Sequence, residues 1–299
     1  MKVLITGGSG MLGSAITKKL ISENISVVHL TRNKSSKHDI KNYEWDWEKN
    51  KIDNTCFEGV TDIIHLAGAG IAEKPWTTKR KKEIVKSRVL TARLIFERLK
   101  ELNHRLNSFI SASGVGYYGA ITNNKTYKET DSSHPDFISD CCVQWENAVD
   151  QFSEITRTTK MRLGIILDKN DGAVAKIAGI IKKNIGAPIG SGKQFMPWIH
   201  LDDAVGLFLH ALKNKSISGT YNAVASEHTN NKFFTETLAE KLNKKLRLPN
   251  VPSFILKLIY GELADILLEG VKVDNEKIIT SGYSFKHNKL SEALEDIYR

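Results

Sequence analysis

Hydrophobic and polar positions change their period several times along the chain. Val3, Leu4 and Ile5 are consecutive apolar residues, the pattern of a short strand buried on both faces. From Met11 to Leu20 the period becomes helical, with Leu12, Ile16 and Leu20 on one face. Ile25 to Leu30 returns to a strand pattern and closes a β-α-β unit. Further strands are predicted over 61–66, 107–113, 161–167 and 219–224. Helices are predicted over 74–102, 139–155, 174–184 and 202–212. Alternation of this kind predicts a parallel sheet wrapped by helices. After Leu167 the pattern loosens around a loop at 186–192. From Asn230 it is mainly helical, with a break at Pro249 and Pro252.

The first strand and first helix are joined by Gly7-Gly8-Ser9-Gly10-Met11-Leu12-Gly13. Glycines let the backbone turn sharply and let a second backbone or a ligand come close. The helix then begins with unpaired N–H groups and the positive end of its dipole. A strand, a glycine turn and a helix in this order predict a pyrophosphate site. The expected fold is therefore α/β: a Rossmann-type doubly wound parallel sheet over residues 1–229, with a smaller, mainly helical C-terminal substrate domain over 230–299. Residues 170–198 are expected to contribute to the substrate side.

Composition narrows the class. The chain has 299 residues, 41% of them hydrophobic and 26% charged, as in a globular protein with a full core. No apolar stretch is long enough to span a bilayer, so no membrane partner is expected. With a strand predicted from residue 2, no leader peptide is expected. Cys56, Cys141 and Cys142 form neither a disulfide framework nor a metal-ligand spacing, which fits a reducing cytoplasm. The net charge of +9 raises a nucleic-acid reading. The basic residues are mostly lysines scattered along helices, without interleaved aromatics, so a solvated surface is expected and nucleic acid is not.

Particular motifs carry a resemblance. Thr6 to Gly13 matches the TGxxGxxG turn of extended short-chain dehydrogenases. His65-Leu66-Ala67-Gly68 is similar to their strand-four cofactor segment, Trp198 to Asp203 to their WIHxDD segment, and Gly219 to Asn222 to their GxYN strand. Ser111 to Gly119 resembles the SASxVGYYG segment of a narrower branch, the YfcH-type epimerase-family proteins. That branch also carries the patterns seen here over 190–203 and 251–271. The resemblance covers the whole chain. It implies a Rossmann-type sheet, a bound nicotinamide dinucleotide, and a small-molecule substrate whose identity it leaves open. The cofactor residues it implies are Thr6, Gly7, Gly10, Met11, Leu12, Gly13, Leu66, Ala67, Gly68 and Ser111.

The second strand ends His29-Leu30-Thr31-Arg32-Asn33-Lys34. An NAD site places a carboxylate there for the ribose 2′-hydroxyl, whereas an NADP site replaces it with positive charge. No acid is present and Arg32 has a planar fork suited to a phosphate, so the expected cofactor is NADP. Asp46 either accepts from the adenine amine or is a loop acid between Trp45 and Trp47. Arg88, on the long helix, either meets an anion, of the substrate or of the cofactor, or lies on a solvated face.

Short-chain dehydrogenases move a proton with a Tyr-x-x-x-Lys pair one helical turn apart. With Glu146 as the register mark, Ile138 and Cys142 stand at those two positions here. The candidates left for catalysis are Ser113 and Tyr117, which follow the strand whose end meets the crevice. Tyr118 is a weaker alternative, and Cys142 is either a nucleophile or a buried small residue. His200, Asp202 and Asp203 suggest either a metal or an aspartate N-cap, and the cap is preferred, so no metal is expected. Two functions follow. One is an NADP(H)-binding oxidoreductase or epimerase-like enzyme. The other is a non-catalytic NADP(H)-binding or redox-sensing module.

Overall fold

The computed structural model describes residues 1–32 and 40–299, so Asn33 and Lys34 of the second-strand segment lie outside the described residues. The chain begins β1 (Lys2–Thr6), α1 (Met11–Ser22), β2 (Ser26–Thr31), β3 (Lys41–Asp46), β4 (Lys51–Ile52) and β5 (Asp62–His65). It continues through α2 (Thr78–Glu101), β6 (Ser108–Gly114), β7 (Thr126–Tyr127), α3 (Phe137–Asp150), β8 (Arg157–Leu163) and β9 (Ile165–Leu167). Next come α4 (Gly172–Lys182), β10 (Trp198–His200), α5 (Leu201–Lys213), β11 (Gly219–Ala223) and α6 (Asn231–Lys241). The tail comprises α7 (Ser253–Tyr260), α8 (Asp265–Leu268), β12 (Lys272–Val273), α9 (Glu276–Thr280) and α10 (Leu290–Tyr298).

Eight strands form one sheet in the order β11-β8-β6-β5-β1-β2-β3-β4. The pairings are parallel except at the β3–β4 edge, which is antiparallel. This is the doubly wound parallel sheet expected from the alternating pattern. Its strand order reverses at β1, which has β2 on one side and β5 on the other. A crevice opens at such a reversal, outside the carboxyl ends of the strands. Val3, Leu4, Ile5, Ile63, Ile64, Phe109 and Ile110 are buried because helices cover both faces.

A second core gathers Leu167, Val174, Ile181 and Trp198 with Phe234, Leu238, Leu290 and Leu294. It thus takes residues from both sides of the 229/230 boundary. Conversely, Ile278 of α9 belongs to the main core. β12 pairs with β7, which again joins the tail to the first part of the chain.

β1 and β5 are tied together at their carboxyl ends. The Thr6 hydroxyl accepts from the N–H groups of Leu66 and Ala67, each at 3.1 Å, and lies 2.9 Å from His65 Nδ1. With both N–H groups donating to it, the Thr6 hydroxyl gives its own proton to Nδ1. His65 Nε2 faces the Thr91 hydroxyl on α2 at 3.3 Å. Burial pushes the His65 imidazole down to about 3, so the folded chain holds it neutral.

A histidine depressed in the folded state makes unfolding take up a proton at acid pH. Its contribution to stability is complete above pH 6.5 and is lost as the pH falls from 6.5 towards about 3. Urea unfolding should lose about 1.4 kcal/mol per pH unit in that window from this one group. His65→Asn should remove about one proton from the measured slope, and an unchanged slope would show that His65 is not held neutral.

Candidate functional site

The turn after β1 runs against the backbone that follows β5. Gly7 has φ +70°, and a Cβ there would lie 3.0 Å from the Leu66 carbonyl. A Cβ on Gly13 would lie 2.3 Å from the Gly7 oxygen, so α1 can begin here only with glycine at that position. Gly10 is different. It is exposed, and a Cβ on it would meet only the Gly7 oxygen, at 3.4 Å. Gly10 is also the N-cap of α1, with no side-chain cap and no acid in the first turn. The first N–H groups of the helix, at Met11, Leu12 and Gly13, therefore have no side-chain cap, and the positive end of the dipole lies there uncompensated.

Four residues expected at the cofactor sit behind this surface. Thr6 is fully buried and its hydroxyl is spent on His65, Leu66 and Ala67. Ser111 is fully buried and donates to the Ala112 carbonyl. Gly13 serves the contact between α1 and Gly7, and the Leu12 side chain turns into the core. These residues shape the site, whereas Gly7, Gly10, Leu66, Ala67 and Gly68 border it.

Arg88 of α2 reaches the same border. It is 7% exposed, and its Nη1 donates to the carbonyls of Ala69 at 3.0 Å and Ile84 at 2.9 Å. Its Nε is buried without a partner, and its guanidinium lies 5.1 Å from the centre of the Trp145 ring. The other buried arginines have carboxylates: Arg80 pairs with Glu73 and Glu83, and Arg162 with Glu146. Among the described residues Arg88 has none. Burial holds its guanidinium below the ordinary value. An uncompensated buried cation beside an open crevice is complementary to an anion.

Beyond β2 and β3 a cleft of about 780 Å³ opens against the first half of α2. Arg32, Trp45 and Trp47 line one side of it, and Lys79, Lys82 and Lys86 line the other. The sequence reading missed these lysines as a group. Their i, i+3, i+7 spacing puts them on one helix face and was the available signal. Asp46 lines the cleft too, but its Oδ1 caps its own turn through the N–H groups of Glu48 and Lys49. The Lys49 ammonium, 3.1 Å away, holds the Asp46 carboxyl below the usual range.

At the other end of the crevice lies a buried polar network. Ser113 on β6 donates to Glu146 at 2.7 Å. Arg162 on β8 holds Glu146 through two parallel bonds of 2.8 Å and donates to the Tyr118 hydroxyl at 2.9 Å. Tyr118 in turn donates to Asn222, and burial pushes its phenol up to about 12. The Arg162 guanidinium also lies 3.4 Å from the centre of the Tyr117 ring. Tyr117 is half-buried, and among the described residues its hydroxyl has no partner. The sequence reading used Glu146 only as a register mark and missed Arg162 and Asn222. A charged residue between Met161 and Leu163 in a buried strand was the overlooked signal.

The two positions of the Tyr-x-x-x-Lys pair are filled by apolar packing. Ile138 and Cys142 are buried. A Cβ on Gly116 would lie 2.7 Å from Ile138, so the isoleucine lies directly over this glycine. Burial raises the Cys142 thiol well above its ordinary value.

The segment at 200–203 also differs from expectation. The N-cap of α5 is His200, not an aspartate: its Nδ1 accepts from the Asp202 N–H at 3.1 Å. Asp203 instead accepts from the backbone N–H groups of Lys286 and His287 and from the Tyr283 hydroxyl. Potential ligand atoms of His200, His287 and Asp296 lie within 4.8 Å of one another. With Nδ1 accepting, the His200 proton sits on Nε2, which faces Asp296 at 3.5 Å. A ring nitrogen that carries the proton offers no lone pair to a metal. The cluster fastens the tail to α5.

Comparison with known proteins agrees with this geometry. Residues 3–139 match the NAD dependent epimerase/dehydratase family, and residues 251–297 match a domain of unknown function, DUF1731. An epimerase family protein of Staphylococcus aureus strain NCTC 8325 is 32% identical over 298 residues, covering 99% of this chain and 98% of its own. The chain belongs to the epimerase family. The epimerase family protein SDR39U1 homolog, chloroplastic, of Arabidopsis thaliana is 31% identical, over 99% of this chain and 86% of its own. The crystal structure of human epimerase family protein SDR39U1 (isoform 2) with NADPH matches this epimerase-family chain with a TM-score of 0.88. Identity is 28%, and the match covers 100% of this chain and 99% of that one.

The three thiols of this epimerase-family chain are buried. Ellman's reagent should find no fast-reacting thiol in the folded protein and three after denaturation. A rapidly reacting Cys142 in the folded state would restore it as a candidate nucleophile.

Proposed function

We propose that this chain is an NADP(H)-dependent, epimerase-like oxidoreductase acting on a small, anionic substrate. The observation that carries the reading is Arg88, a buried guanidinium without a carboxylate among the described residues, packed against Gly68 of the loop whose Leu66 meets the Gly7 turn. These residues fit a dinucleotide. The first turn of α1 and Gly10 would hold the pyrophosphate, and Ala67, Gly68 and Arg88 would border its nicotinamide half. Arg32, with Lys79 and Lys82 opposite, would hold a 2′-phosphate in the cleft beyond β2. The NADPH bound to human SDR39U1 supports this choice. When bound, the nicotinamide supplies hydride transfer.

The chain's own residues then have limited roles. The Ser113 hydroxyl proton points to Glu146, so Ser113 offers a substrate hydroxyl an acceptor rather than a donor. Tyr117 carries the phenol left without a partner at the end of β6, and we assign it the proton transfer. A non-catalytic NADP(H)-binding module is the second reading, supported by Ile138 and Cys142 filling the places of the usual proton donor.

Titration with NADPH and NADH tests the cofactor. NADPH should bind tighter by tenfold or more, since a charge-assisted contact is worth ~1.5–3 kcal/mol. Arg32→Ala should remove most of that preference and leave NADH affinity nearly unchanged. Loss of both cofactors alike would remove the 2′-phosphate role from Arg32.

Gly10→Val tests the crevice. The added Cβ meets only the Gly7 oxygen in the protein itself, so the variant should fold and lose dinucleotide binding. Full affinity by calorimetry in a folded variant would move the site elsewhere. Screening NADPH turnover against anionic metabolites separates the two readings. With a substrate found, Tyr117→Phe should lower kcat by at least about tenfold, the low end of general acid–base help.

A further inference from the structure

Helix α7 carries the most exposed large apolar side chains among the described residues, Leu258 at 84% and Phe254 at 70%. Ile259, Tyr260 and the preceding Leu248 are exposed beside them. The opposite face is anchored through buried Leu256. The segment leading into α7 is fixed as well. Val251 pairs with Ile189, its N–H donates to Pro188, and Asn250 donates to the Gly190 carbonyl at 3.1 Å. After the helix, Leu263 and Ala264 are buried. The apolar ridge is therefore held out by a fixed base and is not a frayed end.

Charge says what the ridge can meet. Residues 241–260 contain five basic residues, Lys241, Lys244, Lys245, Arg247 and Lys257, and no acid. Lys241 pairs with Glu295, and Lys257 lies 3.9 Å from Asp265. Lys245 and Arg247 are exposed and have no carboxylate among the described residues. A second copy would bring the same positive charge against it. A rigid acidic partner would need a groove to fit a convex ridge, whereas lipid flows around one. An exposed apolar helix face preceded by a lysine and an arginine without carboxylate partners matches a helix lying in an anionic bilayer surface.

We propose that α7 docks this protein on anionic membranes, with Phe254, Leu258 and Ile259 entering the acyl boundary and Lys245 and Arg247 meeting lipid phosphates. No helix among the described residues is long and apolar enough to cross a membrane, so the contact is peripheral. This departs from the expectation of no membrane partner, which rested on the lack of a spanning segment. The inference is independent of the cofactor reading, since no α7 residue borders the crevice as assigned above.

Vesicle co-sedimentation of the full chain tests it, with mixed phosphatidylcholine–phosphatidylserine vesicles against pure phosphatidylcholine. The chain should sediment with the mixed vesicles only, and added salt should weaken the association. Phe254→Ser with Leu258→Ser should abolish it. Lys245→Glu with Arg247→Glu should lower partitioning by about 25-fold or more, about a factor of five for each of the two positive charges removed. All these substitutions are on the surface, and an unchanged thermal transition will show that both double variants fold. The proposal is overturned if the wild-type chain ignores the mixed vesicles, or if both double variants sediment like wild type. It is also overturned if the lipid-free chain dimerises in the ultracentrifuge and the Phe254/Leu258 variant is a monomer, which would assign the ridge to a second copy.

Discussion

The site depends on one close approach of two backbones. Where β1 and β5 end side by side, the Gly7 turn passes so near Leu66 that a single added carbon would touch its carbonyl. Thr6 fixes this approach by accepting from two consecutive N–H groups beyond β5 and donating to His65. His65 carries the connection on to Thr91 and α2. The start of α1, the loop after β5 and the middle of α2 are thereby held in one arrangement. Every residue assigned to the pyrophosphate and the nicotinamide half is positioned by that arrangement.

The buried charges divide into two kinds. Arg162 and Glu146 neutralise each other through paired hydrogen bonds, and Ser113 and Tyr118 complete the network. Breaking such a pair leaves a buried charge alone, which makes it a structural element of the β6–β8–α3 junction. Arg88 has only carbonyls and an aromatic face around it. Its desolvation is offset only in part inside the protein, and the remainder can be supplied by an anion entering from the crevice. This contrast separates an end with an uncompensated cation from an end where Ile138 and Cys142 stand at the positions of the usual proton-transfer pair.

The tail is an integral part of the same structure. The Asp203 carboxylate gathers three donors from 283–287, and the His200 and His287 rings meet at a tilt with centroids 4.0 Å apart. The second core packs α4 of the first part against α6 and α10 of the last. Helix α7 therefore projects from a rigid base, and its apolar ridge is a feature of the folded surface.

Local pattern alone determined the sheet, the glycine turn, the long helix and the missing Tyr-x-x-x-Lys pair. Each of these is written in residues near one another in the chain: Val3 to Ile5, Gly7 to Gly13, Lys74 to Leu102, Ile138 with Cys142. The choice of Arg32 over an acid at the end of β2 was legible for the same reason. What stayed hidden needed partners far apart in the chain. Thr6 and Ser111 read as cofactor residues, yet their hydroxyls are consumed inside the fold. Asp203 read as a cap, yet its partners lie some eighty residues later. Arg88 read equally as a solvated or an anion-binding side chain, because only packing could reveal that it is buried and lacks a carboxylate. Sequence periodicity specifies which face of an element is apolar. Which polar groups remain unpaired once those faces meet is a property of the tertiary structure, and Arg88 is such a group.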